Sequence, residues 1–562
     1  MSAALLFVTP LFPLLLAVAG LRWPALSRWN AVGLAPAVAV LGAVGIDSSA
    51  SYTWWLLGSE LGLDRTAFVF LCFTVVLWLT AALLANGEID AARRSRFSLV
   101  FLMTMSGNLG VILAQDAVTF YLFFALMSFA SYGLVVQRGD AASRRAGLIY
   151  LVGIMIGEVA LFVALVMLDS AADGIGFDGL NNIQVPAAVM LLLLLGFGIK
   201  SGMLLLHVWM PLAYAAAPSA AAVVLAGAMV KVGLLGWLRF LPLGWDITAV
   251  WGQIFLVAGF VAAFYGVVIG LLQRNPKVIL AYSSVSQMGL MTALIGVGLL
   301  APQHWPSLLT VTLIYAAHHA LVKGALFVGL GTLAANTGLW QRRALLLSFV
   351  IVALAMAGAP ALSGAVAKLA YKSATKEVLD LGLLLSLSAV ATGLLMARLL
   401  DCLRYLPRSD RPLSQGPWYL LFALLLLWPA LWPTARIYLI DTLTAAHLVA
   451  ALWPVLAAAA GYGLFMLLRR FVFHGLDIGV PPGDVLMIYA AVVRALGRTT
   501  DSVVQYVAQS ATAISIAWQQ TALQMRQWLR VGEFEALLLR WEVAWSLFLG
   551  LMVLLVLAAL VV

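Results

Sequence analysis

Four lysines stand where a lysine is costly. Lys200, Lys231, Lys323 and Lys368 each fall inside a long apolar stretch. A lysine at the centre of a bilayer costs roughly 2.5–3.5 kcal/mol even on the lenient insertion scale. The four together cost on the order of 10 kcal/mol, which speaks against a purely structural role. One such lysine can snorkel to an interface; four in four different stretches cannot all do so. His319 lies four residues before Lys323 and shares its helix face, while His318 points elsewhere. Lys200 and His207, seven apart, share a face if the helix between them is continuous. Histidine, with an ordinary pKa near 6.5, is the natural relay partner for a lysine held out of water. The chemistry these residues suggest is proton transfer along a buried polar path.

Placing such residues requires membrane helices. The chain has 562 residues, 64% hydrophobic and 10% charged, with a mean hydropathy of +1.05. A soluble domain runs near half apolar and a quarter charged, so soluble enzymes, nucleic-acid binders and disordered chains are excluded. The net charge of +9 reads as basic cytoplasmic loops. Two cysteines, Cys72 and Cys402, cannot build a disulfide framework, a zinc site or an iron–sulfur site, and no cofactor or metal is expected. At about 20 apolar residues per span, roughly sixteen stretches begin near residues 2, 30, 66, 97, 117, 147, 186, 219, 249, 278, 306, 345, 377, 416, 445 and 538. The first, Ser2 to Leu21, lacks a basic leader and a small-residue cleavage site and is expected to be a retained helix.

The loops sort by charge. Arg22 and Arg28, then Arg93, Arg94 and Arg96, then Arg138, Arg144 and Arg145 occupy alternate loops; Asp47, Glu60, Asp64, Asp116, Asp169, Asp173 and Asp178 occupy the others. Arg274 with Lys277, Arg342 with Arg343, and Arg404, Arg408 and Arg411 continue the basic series. The positive-inside rule puts these in the cytoplasm and both chain ends on the outer face. Lys372 and Lys376 run against the rule, falling on the outer side. From about Pro482 to Glu535, Val503, Val507, Ile514 and Trp518 recur at helical spacing, with Arg494, Arg498, Gln505, Gln509, Arg526 and Arg530 as a polar face. That pattern fits one helix along the membrane surface, on the order of 80 Å long, or two or three short loop helices broken near Gly497 and Gly532.

Two of the lysines sit beside breaks in helix chemistry. Lys200 lies in Gly196-Phe197-Gly198-Ile199-Lys200-Ser201-Gly202, with Pro211 and Pro218 soon after, and Lys368 follows Gly358-Ala359-Pro360-Ala361-Leu362-Ser363-Gly364. Irregular backbone at membrane depth survives only where it is buried or lines a wet cavity. The broken spans are the seventh and the twelfth. Five is an odd interval, so the units around them have opposite orientations, the pattern of an inverted repeat with its transport site at the broken helices.

Longer motifs carry a resemblance. His207-Val208-Trp209-Met210-Pro211-Leu212-Ala213, Ala217-Pro218-Ser219 and Gly227-Ala228-Met229-Val230-Lys231-Val232-Gly233 follow the Lys200 motif. Further on stand Leu280-Ala281-Tyr282-Ser283-Ser284-Val285-Ser286-Gln287-Met288-Gly289 and His319-Ala320-Leu321-Val322-Lys323-Gly324-Ala325-Leu326-Phe327. Over roughly residues 95 to 400 the chain resembles the antiporter-like proton-translocating subunits of respiratory complex I, Mrp cation/proton antiporters and formate hydrogenlyase-type membrane hydrogenases. The lateral segment and last span look like the largest complex I antiporter-like subunit. The resemblance implies an all-α polytopic fold of about 14–16 transmembrane helices. Helices 1–3 would fill residues 1–95, and the first inverted five-helix unit, helices 4–8, residues 96–243. The second unit, helices 9–13, would fill 244–400, and the C-terminal helices with a lateral segment at about 482–535 would fill 401–562. By motif match, the implied proton path runs through Lys200, Lys231, His319 with Lys323, and Lys368; His207 and His318 stand beside it.

The chain also departs from that family. Phe123-Phe124-Ala125-Leu126-Met127-Ser128 has Ala125 where the family carries a glutamate that pairs with the seventh-helix lysine. Tyr214 replaces the family's second histidine, and the proline before His207 is absent. Glu158, on the next helix, is expected about 16 Å deep, level with Ala125, at about 1.5 Å per residue. It is the candidate substitute carboxylate.

The function expected is proton translocation within a larger complex of the NADH:quinone oxidoreductase or membrane-hydrogenase type, whose partners carry the redox chemistry. Two alternatives stand beside it: an Mrp-type cation/proton antiporter subunit, and a proton-driven energising subunit for a non-redox soluble partner such as a bicarbonate-uptake module. The partners implied are other membrane subunits, a soluble protein, and protons with Na+ or K+; nucleic acid is not among them. The location implied is the bacterial inner (plasma) membrane.

Overall fold

Lipid offers no water to a backbone N–H or C=O, so an apolar run must close its own hydrogen bonds as a helix. The computed structural model describes residues 2–55, 58–169, 177, 185–243, 249–335, 338–407, 413–471, 480–486 and 489. Its helices are α1 (Ser2–Arg22), α2 (Ala35–Ala43), α3 (Arg65–Glu88), α4 (Ala91–Leu113), α5 (Ala117–Val135), α6 (Ala141–Asp169), α7 (Ala187–Ser201), α8 (Trp209–Ala216) and α9 (Ser219–Phe240). They continue as α10 (Ala249–Leu272), α11 (Pro276–Leu300), α12 (Trp305–Ala334), α13 (Leu339–Ala357), α14 (Ser363–Thr375), α15 (Gly382–Cys402), α16 (Gly416–Leu431), α17 (Pro433–Thr442) and α18 (Ala445–Phe471). Between α2 and α3 lies a two-stranded sheet, β1 (Ser48–Tyr52) with β2 (Ser59–Leu63).

Among the described residues, 12 helices are long and apolar enough to cross a membrane, or up to 13 if the pair α16 and α17, bent by 94°, counts as one. The chain is an integral, all-α membrane protein. The count falls below sixteen for local reasons. The second stretch forms only a short helical run, Asn30–Ala43, and the seventh is cut at Ser201. The run expected from residue 538 lies outside the described residues, as does most of the lateral segment expected over 482–535.

Side chains explain where several helices begin. Asp64 accepts from the Ala67 N–H at 2.7 Å, Asp116 from the Thr119 N–H at 2.8 Å, and Asn275 from the Lys277 N–H at 2.9 Å. Each satisfies a backbone donor that has no partner within its own helix. Packing then sorts the helices by depth. The apolar windows of α11 and α12 are wholly buried and that of α9 nearly so, while α18 buries little. The outer helices expose Leu148, Val159, Leu383 and Leu456, which suits contact with lipid rather than water.

Charged residues gather at the helix ends. Glu88 at the finish of α3, Arg138 beyond α5, Ser219 and Lys277 at the starts of α9 and α11, and Ala334 at the finish of α12 line one cavity of about 240 Å³. At the other end of α3 and α9, Asp64 forms an ion pair with Arg239. The chain divides into two units. Residues 1–51 with 59–483 hold all the helices named above. In the second unit, 52–58 with 484–562, the Trp55 N–H donates to the Tyr52 carbonyl at 3.0 Å and the Gly58 N–H to the Trp55 carbonyl at 2.9 Å.

Candidate functional site

Both glycine-marked spans are broken, and by the same backbone device. After α7, Gly202 takes φ 70° and Leu205 takes φ 68°; after α13, Gly358 takes φ 90° and Ala361 takes φ 61°. A left-handed glycine ends each helix, and a left-handed non-glycine residue follows three positions later. Such residues cost of order 1–3 kcal/mol and cluster at functional sites. Lys200 and His207 therefore do not share one continuous helix.

A broken helix exposes a C-terminus, whose unpaired carbonyls carry partial negative charge. Lys200 lies in the last turn of α7. Lys368, on α14, donates from Nζ to the carbonyl of Ala357, the last residue of α13, at 2.6 Å. Gly358 makes room for it: a Cβ there would lie 2.8 Å from Lys368 Cδ and 3.0 Å from Nζ.

The amine of Lys200 donates to Ser128 Oγ on α5 at 3.2 Å and lies 5.6 Å from the centre of the Phe124 ring. Glu158, buried on α6, lies within coulombic reach of Lys200, and neither of its carboxyl oxygens has a hydrogen-bond partner among the described residues. The structure thus brings an acid to this lysine from α6, while Ala125 on α5 has none to offer. Tyr121 donates its hydroxyl to the Glu158 backbone carbonyl at 3.5 Å.

Lys231 follows a π-turn, Leu225–Met229, inside α9. Its Nζ donates to the Ala226 carbonyl, five residues back, at 2.7 Å. Such turns loosen the usual hydrogen-bond ladder and recur at functional sites. Lys323 on α12 donates to the Leu280 carbonyl of α11 at 2.7 Å and to the Ser283 hydroxyl. His319 lies within coulombic reach of both Lys231 and Lys323, and its ring nitrogens have no hydrogen-bond partner among the described residues. His318 points off the Lys323 face, and what it meets is the broken twelfth span. Its Nδ1 lies 3.0 Å from Ser363 Oγ at the start of α14, and both Lys368 and Lys231 are within coulombic reach. His207, in the connection between α7 and α8, packs its ring against Tyr265 and Tyr282 at 5.4 and 6.0 Å. Tyr282 adjoins Ser283, the hydroxyl that holds Lys323.

All four lysines are thus solvated by carbonyls and hydroxyls, as intramembrane cations usually are. The hydroxyls of Ser128, Ser283 and Ser363 are missed by sequence reasoning, because a serine in an apolar span carries no spacing signal. Glu88 and Lys277 are also missed, since both resemble loop charges. Glu88 accepts from the N–H groups of Ser219 and Ala220 at 2.6 and 2.7 Å, capping α9, and Lys277 Nζ donates to the Ala217 carbonyl at 2.7 Å. The one cue for Glu88 was its sign, an acid at the basic end of the bundle.

The family described as NADH:quinone oxidoreductase/Mrp antiporter, TM, matches residues 114–394, half of the chain. Hydrogenase-4 component B of Escherichia coli is 31% identical over 258 residues, 43% of this chain and 38% of that protein. A putative antiporter subunit of Staphylococcus aureus is 28% identical over 337 residues, 55% of this chain and 42% of that one. Both matches span under half of those relatives' length. The solved Mrp complex from Dietzia sp. is similar in fold, with a TM-score of 0.71 at 20% identity over 89% of this chain and 59% of that chain.

Proposed function

We propose, since the chain belongs to the NADH:quinone oxidoreductase/Mrp antiporter transmembrane family, that it moves protons along its buried lysine and histidine row as one subunit of a larger membrane complex. The observation that carries this reading is the placement of the four lysines. Each sits on a carbonyl or hydroxyl, with Glu158 set against Lys200 at one end. A carboxylate held close to an amine favours the protonated amine, and drawing the two apart frees the proton. From Lys200 the proton passes to Lys231, from which His319 leads on to Lys323 and His318 to Lys368. Neighbouring subunits supply the energy. The similarity to hydrogenase-4 component B favours redox partners, and the similarity to a putative antiporter subunit favours a second reading, proton exchange for Na+ or K+.

The test is proton uptake by membrane vesicles holding the assembled complex, driven either by a reductant or by an imposed Na+ or K+ gradient. Lys200→Met keeps side-chain length and removes the titrating group. It should leave insertion and assembly intact and lower coupled proton movement at least ten-fold. Near-native rates in that variant would overturn the reading, and the driving condition that works separates redox coupling from cation exchange.

A further inference from the structure

The two lysines that defy the charge rule line a cavity. Lys368, Lys372 and Lys376 follow one another at four-residue intervals along α14 and its C-cap, so they share a face and climb about 12 Å at about 1.5 Å per residue. With Ser373, Thr442 and His447 they border a space of about 300 Å³. No acidic side chain is among its lining residues. Lys372 Nζ donates to Ser386 Oγ at 2.7 Å, and Lys368 is held by the Ala357 carbonyl. His447 stands in the first turn of α18, its Nδ1 2.8 Å from the Asp441 backbone carbonyl and 3.0 Å from the Thr444 hydroxyl. Backbone N–H groups at that helix start add partial positive charge to the same side.

Position makes the grouping unusual. On the charge-derived topology this is the outer end of the bundle, where lysine is disfavoured. Arg239, another cation at that end, is neutralised by Asp64. Lys368, Lys372 and Lys376 form no ion pair among the described residues. Three lysine amines around one cavity, none of them in an ion pair among the described residues, favour a counter-charge from outside the chain. A volume of about 300 Å³ holds about ten waters at about 30 Å³ each, enough for a hydrated tetrahedral anion.

We propose that this cavity is an oxyanion site that takes a phosphate-sized group, either free phosphate or the headgroup phosphate of an anionic lipid. The site stands whether or not the row of lysines carries protons, because it rests on the cavity and its charges alone. A bound anion would place a counter-charge beside Lys368, at the end of that row.

The test uses the full chain in its purified complex, in lipid nanodiscs. One arm titrates inorganic phosphate in neutral phosphatidylcholine and reads thermal unfolding against equal ionic strength of chloride. The other exchanges phosphatidylcholine for phosphatidylglycerol without phosphate and reads lipid retained by native mass spectrometry. Saturable binding is expected in at least one arm, weakened ten-fold or more by the double change Lys372→Gln and Lys376→Gln and kept when both become arginine. Phosphate alone binding identifies the free anion, and phosphatidylglycerol alone identifies the lipid headgroup. Should the double variant fail to assemble, Lys376→Gln, at an exposed position, serves with an expected loss of about three-fold. Binding in neither arm, or binding unchanged by loss of the lysine charges, overturns the proposal.

Discussion

Glu158 is the residue on which the coupling reading turns. It lies within coulombic reach of Lys200, while Ala125 presents only a methyl group on α5. Glu158→Gln should therefore impair coupled proton movement about as much as Lys200→Met, and Ala125→Glu should partly restore it in the Glu158→Gln protein. Native-like transport in Glu158→Gln vesicles would remove Glu158 from the path. Asp64 tests a different charge, one outside the spans. Burial alone would push its carboxyl up, but the Arg239 guanidinium and the N–H groups of Ala67 and Thr66 hold it below its ordinary value. A group depressed on folding contributes its stability in full above the unfolded value and loses it as pH falls through the folded one. Asp64→Asn should thus cost about 1.5–3 kcal/mol at pH 7, and its deficit against the native protein should shrink below about pH 4. Thermal unfolding of both proteins at pH 7 and pH 3 measures this; an equal deficit at both values would argue against the ion pair's contribution.

At the scale of elements, the breaks after α7 and α13 set the amines. Gly358 has two duties, a φ of 90° and space for Lys368. Gly358→Ala should strain the cap and push the Lys368 amine off the Ala357 carbonyl. The expected result is transport reduced several-fold in protein that still assembles, with an unfolding temperature lowered by a few degrees. A loss of stability without loss of transport would separate the cap from the lysine. These breaks were legible in the sequence, because glycine and proline punctuate a helix by mechanism. Spacing turned His318 off the Lys323 face but gave no warning of the π-turn or of what His318 meets. Both depend on how far a helix has rotated by the time it meets its neighbour, and one extra residue alters that.

For the whole molecule, hydropathy and charge revealed a helical membrane protein, the series of spans and the places of interruption. Partners on distant helices were less accessible. Ser128, Ser283 and Ser363 meet Lys200, Lys323 and His318 only through packing between spans far apart in the chain. The assembled bundle places Glu88, Arg138, Ser219 and Lys277 at one end and the Asp64–Arg239 pair at the opposite end of the same helices. That grouping fits the alternation of basic and acidic loops. In a protein without native cysteines, a Cys at position 48 should react with an impermeant reagent applied outside, and a Cys at position 342 should not. The reverse pattern would invert the orientation.

The π-turn at Leu225–Met229 leaves α9 holding one peptide unit more than its rise would suggest. A helical wheel drawn at 3.6 residues per turn assigns Lys231 a bearing about 100° from the one it holds. Hydropathy windows are blind to that offset. Yet the same extra unit leaves the Ala226 carbonyl where the amine can lie back along the axis and reach it. In water a cation is surrounded by oxygen atoms free to turn toward it. Here a locally unwound backbone presents an oxygen already turned, so Lys231 brings part of its hydration shell with it in covalent form.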